Sequence, residues 1–378
     1  MNKAGIYIHI PFCRARCSYC DFATGAYDAA LCERYVRAVE DEIASFKHDD
    51  NPVEVDTIYF GGGTPSLLAP AQVETILNSV HKRFRVASNI EVTMEMNPGT
   101  VTPETLRAYR RLGINRASFG AQTFDDRHLR RLGRTHSADD TRRTFDDLRA
   151  NGYENISFDL IAALPGQTLQ AWSSNLDEAL RLRPEHLSLY LLEVHEGTPL
   201  AAQIRSGRAP QPDEDTAAEM YKIMLERTAT EGYVHYEISN FCRSGYESRH
   251  NTKYWTGAPV FGFGCSAHSF DGRNTRWSNE RDARRFVEAL ENGRETVVET
   301  IKLEAHEAAA ENIFLGLRLM RGVDLGEHRK RFGADVCREH ADDLARLTEA
   351  GLIELSGERL KLTSSGALLS NEVFAVFV

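Results

Sequence analysis

Ile6-Tyr-Ile-His-Ile-Pro-Phe-Cys13-Arg-Ala-Arg-Cys17-Ser-Tyr-Cys20-Asp-Phe22 is the stretch that decides how this chain reads. Its first half, 6–12, is short and apolar-rich and reads as a strand. Its second half spaces three cysteines as CxxxCxxC on the loop directly after that strand. Three thiolates on one loop can hold three irons of a 4Fe-4S cluster. Structural clusters ordinarily have four Cys ligands, so here the fourth iron would lack a protein ligand and could accept a small molecule. Zinc is the competing metal, but a structural zinc site needs a fourth Cys or His. His9 is near, yet strand alternation can point it elsewhere. Buried free thiols are the bland alternative.

Moving outward, strand-like and helix-like segments alternate. Strands are expected at 6–12, 56–61, 91–96, 116–121, 155–161 and 186–192, each followed by turn chemistry. Helical patterns fill the gaps at 30–46, 70–84, 103–112, 137–151 and 169–182. Pro70 and Pro103 sit where helix starts tolerate proline. Six βα units imply a parallel sheet covered by helices. The α/β count suits a partial barrel better than a full eightfold one, and a doubly wound open sheet is the alternative.

Beyond the sixth unit, 206–213 (SGRAPQPD) reads as a loop and 213–230 as a helix. The stretch 233–270 is rich in aromatic residues and glycine. From about residue 300 the pattern becomes helices at 304–320 and 335–350, then a small hairpin at 352–355 and 359–363. That is a winged-helix-like module, and the chain divides at 1–232, 233–299 and 300–378. Such modules often bind DNA, but this one carries ten basic residues against thirteen acidic ones. That balance opposes phosphate binding.

The whole chain of 378 residues has a net charge of −10, so a polyanion-binding surface is not expected. An Arg-rich stretch, 107–149, is interleaved with Asp and reads as solvated helix faces laced with ion pairs. No apolar run approaches the roughly 18–20 residues that span a bilayer, and residues 1–10 are not a secretory signal. The seven cysteines are odd in number, with Cys32, Cys242, Cys265 and Cys337 scattered. This is no disulfide framework, and a reducing, cytoplasmic location is expected.

A second motif, Gly61-Gly62-Gly63-Thr64-Pro65-Ser66, ends the second strand. Missing Cβ atoms let main-chain groups approach a ligand, although a plain tight turn explains a Gly triplet as readily. Asp159, inside Phe158-Asp-Leu-Ile161, is a charge in an apolar strand and needs a partner.

These motifs together resemble the radical S-adenosylmethionine (SAM) superfamily. More narrowly, the chain is similar to the branch that holds anaerobic coproporphyrinogen III dehydrogenase and the HemW-type heme chaperones. The resemblance implies a radical SAM partial (β/α)6 TIM-like barrel with the small C-terminal domain, a 4Fe-4S cluster on Cys13, Cys17 and Cys20, and SAM. It implies SAM contacts from Gly62, Gly63 and Thr64, with the loop meeting the methionyl amino group. Arg134 suits the methionyl carboxylate, which a guanidinium binds bidentately. Gln122 and Asp159 suit ribose hydroxyls, Glu95 takes either the amino group or the ribose, and Tyr7 and Phe22 are further cofactor contacts.

The dehydrogenase branch carries CxxxCxxCxC, whereas here Phe22 stands two residues beyond Cys20. That enzyme also has a longer stretch before its cluster loop. Both differences point to the chaperone branch. His250-Asn-Thr-Lys-Tyr-Trp255 matches its HNxxYW pattern, implicated in heme binding. A neutral imidazole is a common axial ligand of heme iron, and Tyr254 and Trp255 can pack on a porphyrin. A core His beside packing aromatics is the alternative; His268 and then Cys265 are competing ligands. The expected function is binding heme and passing it to apo-hemoproteins such as respiratory enzymes. Nucleic acid is not expected as a partner, and any membrane contact would be peripheral, through the recipients. The other reading is a radical enzyme that oxidatively decarboxylates two propionates of coproporphyrinogen III. No catalytic residue is assigned.

Overall fold

Six parallel strands stand side by side in the order in which the chain makes them. They are β1 (Ala4–Ile10), β2 (Glu54–Gly62), β3 (Arg85–Met96), β4 (Arg116–Gln122), β5 (Ile156–Ala162) and β6 (His186–Leu191). The computed structural model describes residues 3–47 and 53–377. Between the strands run α1 (Ala29–Ser45), α2 (Pro70–Arg83), α3 (Pro103–Arg111), α4 (Asp126–Arg131), α5 (Ala138–Ala150) and α6 (Leu169–Leu182). Right-handed crossovers between sequential neighbours place every helix on the same face. The sheet therefore curls around its other face as a barrel does. A doubly wound sheet reverses its strand order, and this one does not.

Alternation along each strand divides the two faces. Ile6, Ile8, Ile58, Phe60, Val92, Met94, Phe119, Phe158, Leu187 and Leu189 point outward and are buried under the helices. Each such side chain stabilises the fold by about 1.5–3 kcal/mol. The residues between them, Tyr7, His9, Tyr59, Glu95, Arg116, Ser118, Asp159, Ser188 and Tyr190, face the barrel interior. The register lines them up, Tyr7 with Tyr59, Glu95 with Ser118, and Asp159 with Ser188. A polar lumen inside an apolar jacket is thus built into the strand sequences.

After α7 (Pro199–Arg205) and α8 (Glu214–Thr230), the sheet grows at both sides. Strands β7 (Val234–Glu237) and β8 (Asn240–Cys242) add antiparallel beyond β6. Helix α9 (Arg249–Thr256) carries the HNxxYW residues, and β9 (Val260–Phe263) then pairs parallel with β1. Strands β10 (His268–Phe270), β11 (Thr275–Asn279) and β12 (Val297–Lys302) continue antiparallel, with α10 (Ala283–Glu291) between the last two. The described sheet runs β12-β11-β10-β9-β1-β2-β3-β4-β5-β6-β8-β7, and its two ends do not pair. The barrel is therefore partial.

Strand β12 runs across the 299/300 division drawn from the sequence. The C-terminal module begins with α11 (Ala305–Leu317), followed by β13 (Val323–Asp324), α12 (Leu325–Phe332), α13 (Val336–Glu339), α14 (Ala341–Glu349), β14 (Ile353–Ser356) and β15 (Arg359–Leu362). The expected 335–350 helix is broken at His340, whose backbone leaves the helical region. The hairpin gains a third strand, since β13 pairs with β15. Two residues are too short for β13 to show any period. Main-chain bonds tie the module to the barrel edge: Ile238 N–H donates to Arg318 O (3.1 Å), and Met320 N–H to Tyr236 O (3.0 Å).

Candidate functional site

The cysteine loop lies across the C-terminal ends of the parallel strands. Phe12–Cys13 pairs with Gly25–Ala26 as a short parallel ribbon, and Tyr27 N–H donates to Cys13 O (2.9 Å). Farther along, Ser18 N–H donates to Leu132 O and Leu200 N–H to Ser18 O. The ribbon closes the base of the loop, and Ser18 fixes its middle to the barrel rim. No three His, Cys, Asp or Glu groups among the described residues converge as ligands of a single metal ion.

One hydrogen-bonded chain links the first two cysteines. Thr64 Oγ1 approaches Cys13 Sγ (3.6 Å) and accepts from Asn97 Nδ2 (2.9 Å). Asn97 Oδ1 accepts from Arg134 Nη2 (2.9 Å), which also donates to Gly120 O (2.6 Å). Arg134 Nη1 then reaches Cys17 Sγ (3.5 Å). Asn97 joins the two halves, and sequence reasoning missed it. The signal was the turn Asn97-Pro-Gly99 at the end of a barrel strand, where sites are built.

The glycine loop fits closely under the cysteines. A Cβ on Gly63 would lie 3.0 Å from Cys13 Sγ and 2.7 Å from Phe12 O. One on Gly62, whose φ is +112°, would lie 2.7 Å from the His9 ring. Only glycine satisfies both positions. Glu95 fastens this loop from below, accepting from Gly62 N–H (3.1 Å) and Tyr59 Oη (2.8 Å). Burial pushes the Glu95 carboxyl up to about 7, against the pull of Tyr59. Asp159 is also raised by burial and is opposed by Ser188, Arg116 and Ser118. Gln122 enters through a break in the β4–β5 register and takes φ +63°. Its amide folds over Gly120, where a Cβ would lie 2.4 Å from Gln122 Nε2.

The donors match the chemistry of a cluster. Burial raises the Cys13 thiol, opposed by its bond from Thr64, and raises that of Cys20, opposed by the Phe22 backbone N–H. Such thiols would release their protons to solvent on binding a metal and hold it as thiolates. The Phe22 ring itself is 63 % exposed, outside the Cys13–Cys17 network. Burial opposes the charge on Arg134, but Tyr19 and Cys17 outweigh it and hold Arg134 above its usual range. Three thiols, a loop that excludes Cβ atoms and a fixed guanidinium fit a 4Fe-4S cluster beside an amino-acid ligand.

His9, the nearest candidate for a fourth zinc ligand, has both ring nitrogens engaged, with Tyr7 Oη (3.1 Å) and Ala23 O (2.9 Å). His250 lies far from the cysteines, at the base of the lumen. It is fully buried, with Nδ1 bonded to Thr57 Oγ1 (2.9 Å) and Nε2 to Tyr254 Oη (3.1 Å). Burial takes its pKa down to about 3. Ligation of iron through either nitrogen would break one of these bonds inside the barrel. Helix α9 docks by its N-terminus, where the N–H groups of Arg249 and His250 both donate to Glu91, a favourable partner for the helix dipole. Cys265 is buried and accepts from Tyr35 Oη, whereas His268 is exposed.

Comparison with known proteins agrees with this geometry. A match to the radical SAM superfamily spans residues 7–179, and one to the HemN C-terminal domain spans 303–369. The superfamily match implies a 4Fe-4S cluster and SAM. The heme chaperone HemW of Bacillus subtilis is 35% identical over 373 residues, 98% of each chain. That of Escherichia coli is 32% identical over 383 residues, 99% of this chain and 97% of the relative. The structure of coproporphyrinogen III oxidase (HemN) from Escherichia coli superposes with a TM-score of 0.86 at 22% identity, covering 99% of this chain and 90% of that one. This last is a likeness of fold alone. No helix among the described residues is long and apolar enough to cross a membrane.

Proposed function

Because the chain belongs to the HemW family of heme chaperones within the radical SAM superfamily, we propose that it binds heme and transfers it to apo-hemoproteins. The observation that carries this reading is the end-to-end match to heme chaperones, which takes in the barrel, the HNxxYW helix and the C-terminal module together. Phe22 at the position of the dehydrogenase's extra cysteine supports it over coproporphyrinogen oxidation. The recipients are hemoproteins such as respiratory enzymes, met from the cytoplasm, with any membrane contact made through them.

Cys13, Cys17 and Cys20 hold the 4Fe-4S cluster. The backbone of Gly62 and Gly63, with Thr64 beside them, receives the methionyl end of SAM. Arg134 takes its carboxylate, Gln122 and Asp159 its ribose, and Glu95 its amino group or ribose. Tyr7 closes the lumen wall beneath, and Phe22 contributes its backbone N–H to the Cys20 thiol. When bound, the cluster and SAM supply one-electron chemistry. Thr64, Asn97 and Arg134 keep the glycine loop and the cysteine loop at a fixed separation, while Glu95 holds the Gly62 N–H and so preorganises the loop.

A transfer assay tests the reading. Heme-loaded protein is mixed with an apo-hemoprotein, and the recipient's absorbance and activity are followed. In parallel, coproporphyrinogen III, SAM and a reductant are supplied without oxygen. The reading expects heme to move to the recipient and no decarboxylated product to form. Product formation without heme transfer would overturn it.

A further inference from the structure

The three cysteines of the loop meet different donors. Cys20 takes a main-chain N–H from its own loop, that of Phe22. Cys13 and Cys17 take theirs from outside it, Cys13 from the Thr64 hydroxyl (3.6 Å) and Cys17 from the Arg134 guanidinium (3.5 Å). Sulfur is larger than oxygen, so both are hydrogen-bond lengths. The two donors lie on separate connections, after β2 and after α4, and Asn97 at the end of β3 stands between them.

The direction of this relay follows from which groups can donate. A guanidinium only donates, so the Asn97 side chain turns Oδ1 toward Arg134 Nη2 (2.9 Å). Its Nδ2 then faces Thr64 Oγ1 (2.9 Å) and fills a lone pair there. The single hydrogen of that hydroxyl is left for Cys13 Sγ. An amide suits the middle position because it accepts on one side and donates on the other. The backbone beneath it is pinned as well. Asn97 N–H donates to Ser66 Oγ (3.4 Å), and Asn97 O accepts from Thr100 N–H (3.1 Å) and Thr100 Oγ1 (2.6 Å).

Arg134 can serve Cys17 and a ligand together. Of its five N–H groups, two on Nη2 go to Asn97 and Gly120 and one on Nη1 goes to Cys17. Nε and the second N–H of Nη1 stay available for a carboxylate.

On an iron–sulfur cluster these contacts have a definite sign. One-electron reduction adds one negative charge to the iron and sulfur atoms, with no bond made or broken. Hydrogen bonds to the sulfurs and a nearby cation stabilise that charge and so raise the reduction potential. We propose, resting on the cluster assignment above, that the Thr64–Asn97–Arg134 relay raises the cluster's reduction potential through Cys13 and Cys17. Asn97 is the positioning residue that aims both donors.

The relay borders a cavity of about 20 Å³ lined by Cys17, Thr64, Asn97 and Arg134 among others, room for about one water. A smaller side chain at 97 would admit further water, which replaces the lost donors. The informative change is therefore Asn97→Leu, which keeps the volume and removes the amide.

The test is a redox titration of the reconstituted full chain without oxygen or SAM. Dithionite supplies the electron through mediator dyes, and electron paramagnetic resonance reads the reduced cluster. Asn97→Leu should lower the equilibrium constant for reduction about tenfold, which is about 59 mV for one electron and the worth of about one hydrogen bond. Thr64→Val, which removes only the donor to Cys13, should lower it by a smaller factor. Asn97→Asp should lower it at least as far as Asn97→Leu, because a carboxylate adds negative charge and cannot donate to Thr64. Iron and sulfide content equal to wild type separates this effect from poor assembly. Should Asn97→Leu assemble incompletely, Thr64→Val and Asn97→Asp decide. An unchanged or raised potential in a fully loaded variant overturns the proposal. A wild type that assembles no cluster would instead overturn the cluster assignment beneath it.

Discussion

At the scale of single residues, the site depends on a few side chains whose roles separate in experiment. Cys17→Ala should leave no assembled cluster, because two thiolates cannot hold three irons. Iron and sulfide content after anaerobic reconstitution checks this, and an undiminished content would remove the loop from the assignment. Arg134→Ala should weaken SAM binding about tenfold to a hundredfold, the worth of a hydrogen bond to a charged group. Calorimetry measures it, and unchanged affinity would remove Arg134 from the site. Outside the site, Glu42 accepts from Gly264 N–H (2.7 Å), Asn279 Nδ2 (2.6 Å) and Thr296 Oγ1 (3.2 Å). Burial nevertheless pushes its carboxyl up from 4.5 to about 7. An acid raised by folding holds its proton better in the native state than in the unfolded chain. Stability therefore falls as the pH rises from the unfolded value through about 7, by at most ~3 kcal/mol, and is level above. Glu95, raised likewise, adds a second slope of the same sign. Glu42→Gln, which cannot ionise, should remove this group's share and keep roughly half the slope. Urea denaturation at pH 5 and pH 8 reads this directly, and an undiminished slope would mean that Glu42 is ionised throughout.

At the scale of elements, what the sequence made legible and what it hid have separate physical causes. The six strands and their helices were readable because each outward strand face is apolar and each helix begins at a recognisable cap or proline. Cys13, Cys17, Cys20 and the glycine loop were readable because a close spacing carries its own chemistry. Asn97 was not, because its role comes from two loops that meet only when β2, β3 and β4 lie side by side. The left-handed backbone of Gln122 was hidden because a register break belongs to two strands at once. The glycine loop gives the prediction at this scale. Gly63→Ala adds a Cβ 3.0 Å from Cys13 Sγ and 2.7 Å from a backbone oxygen that cannot move aside. The variant should fold, assemble less cluster and lose SAM affinity. Full iron content together with wild-type affinity would show that the loop does not need to approach so closely.

At the scale of the whole molecule, the partial barrel and the C-terminal module meet over α9, so the HNxxYW helix touches both. The strand interiors are polar where the outer faces are apolar, and this makes the lumen a place for cofactors. The cleft on the other side of α9 is open and bordered by arginines on a chain whose net charge is −10. The central claim is that this chain carries heme. Titration of heme into the cluster-reconstituted protein without oxygen, followed at the Soret band, tests it most directly. Saturation near one heme per chain is the predicted result, and a band that rises without saturating, as for heme in buffer, would contradict it.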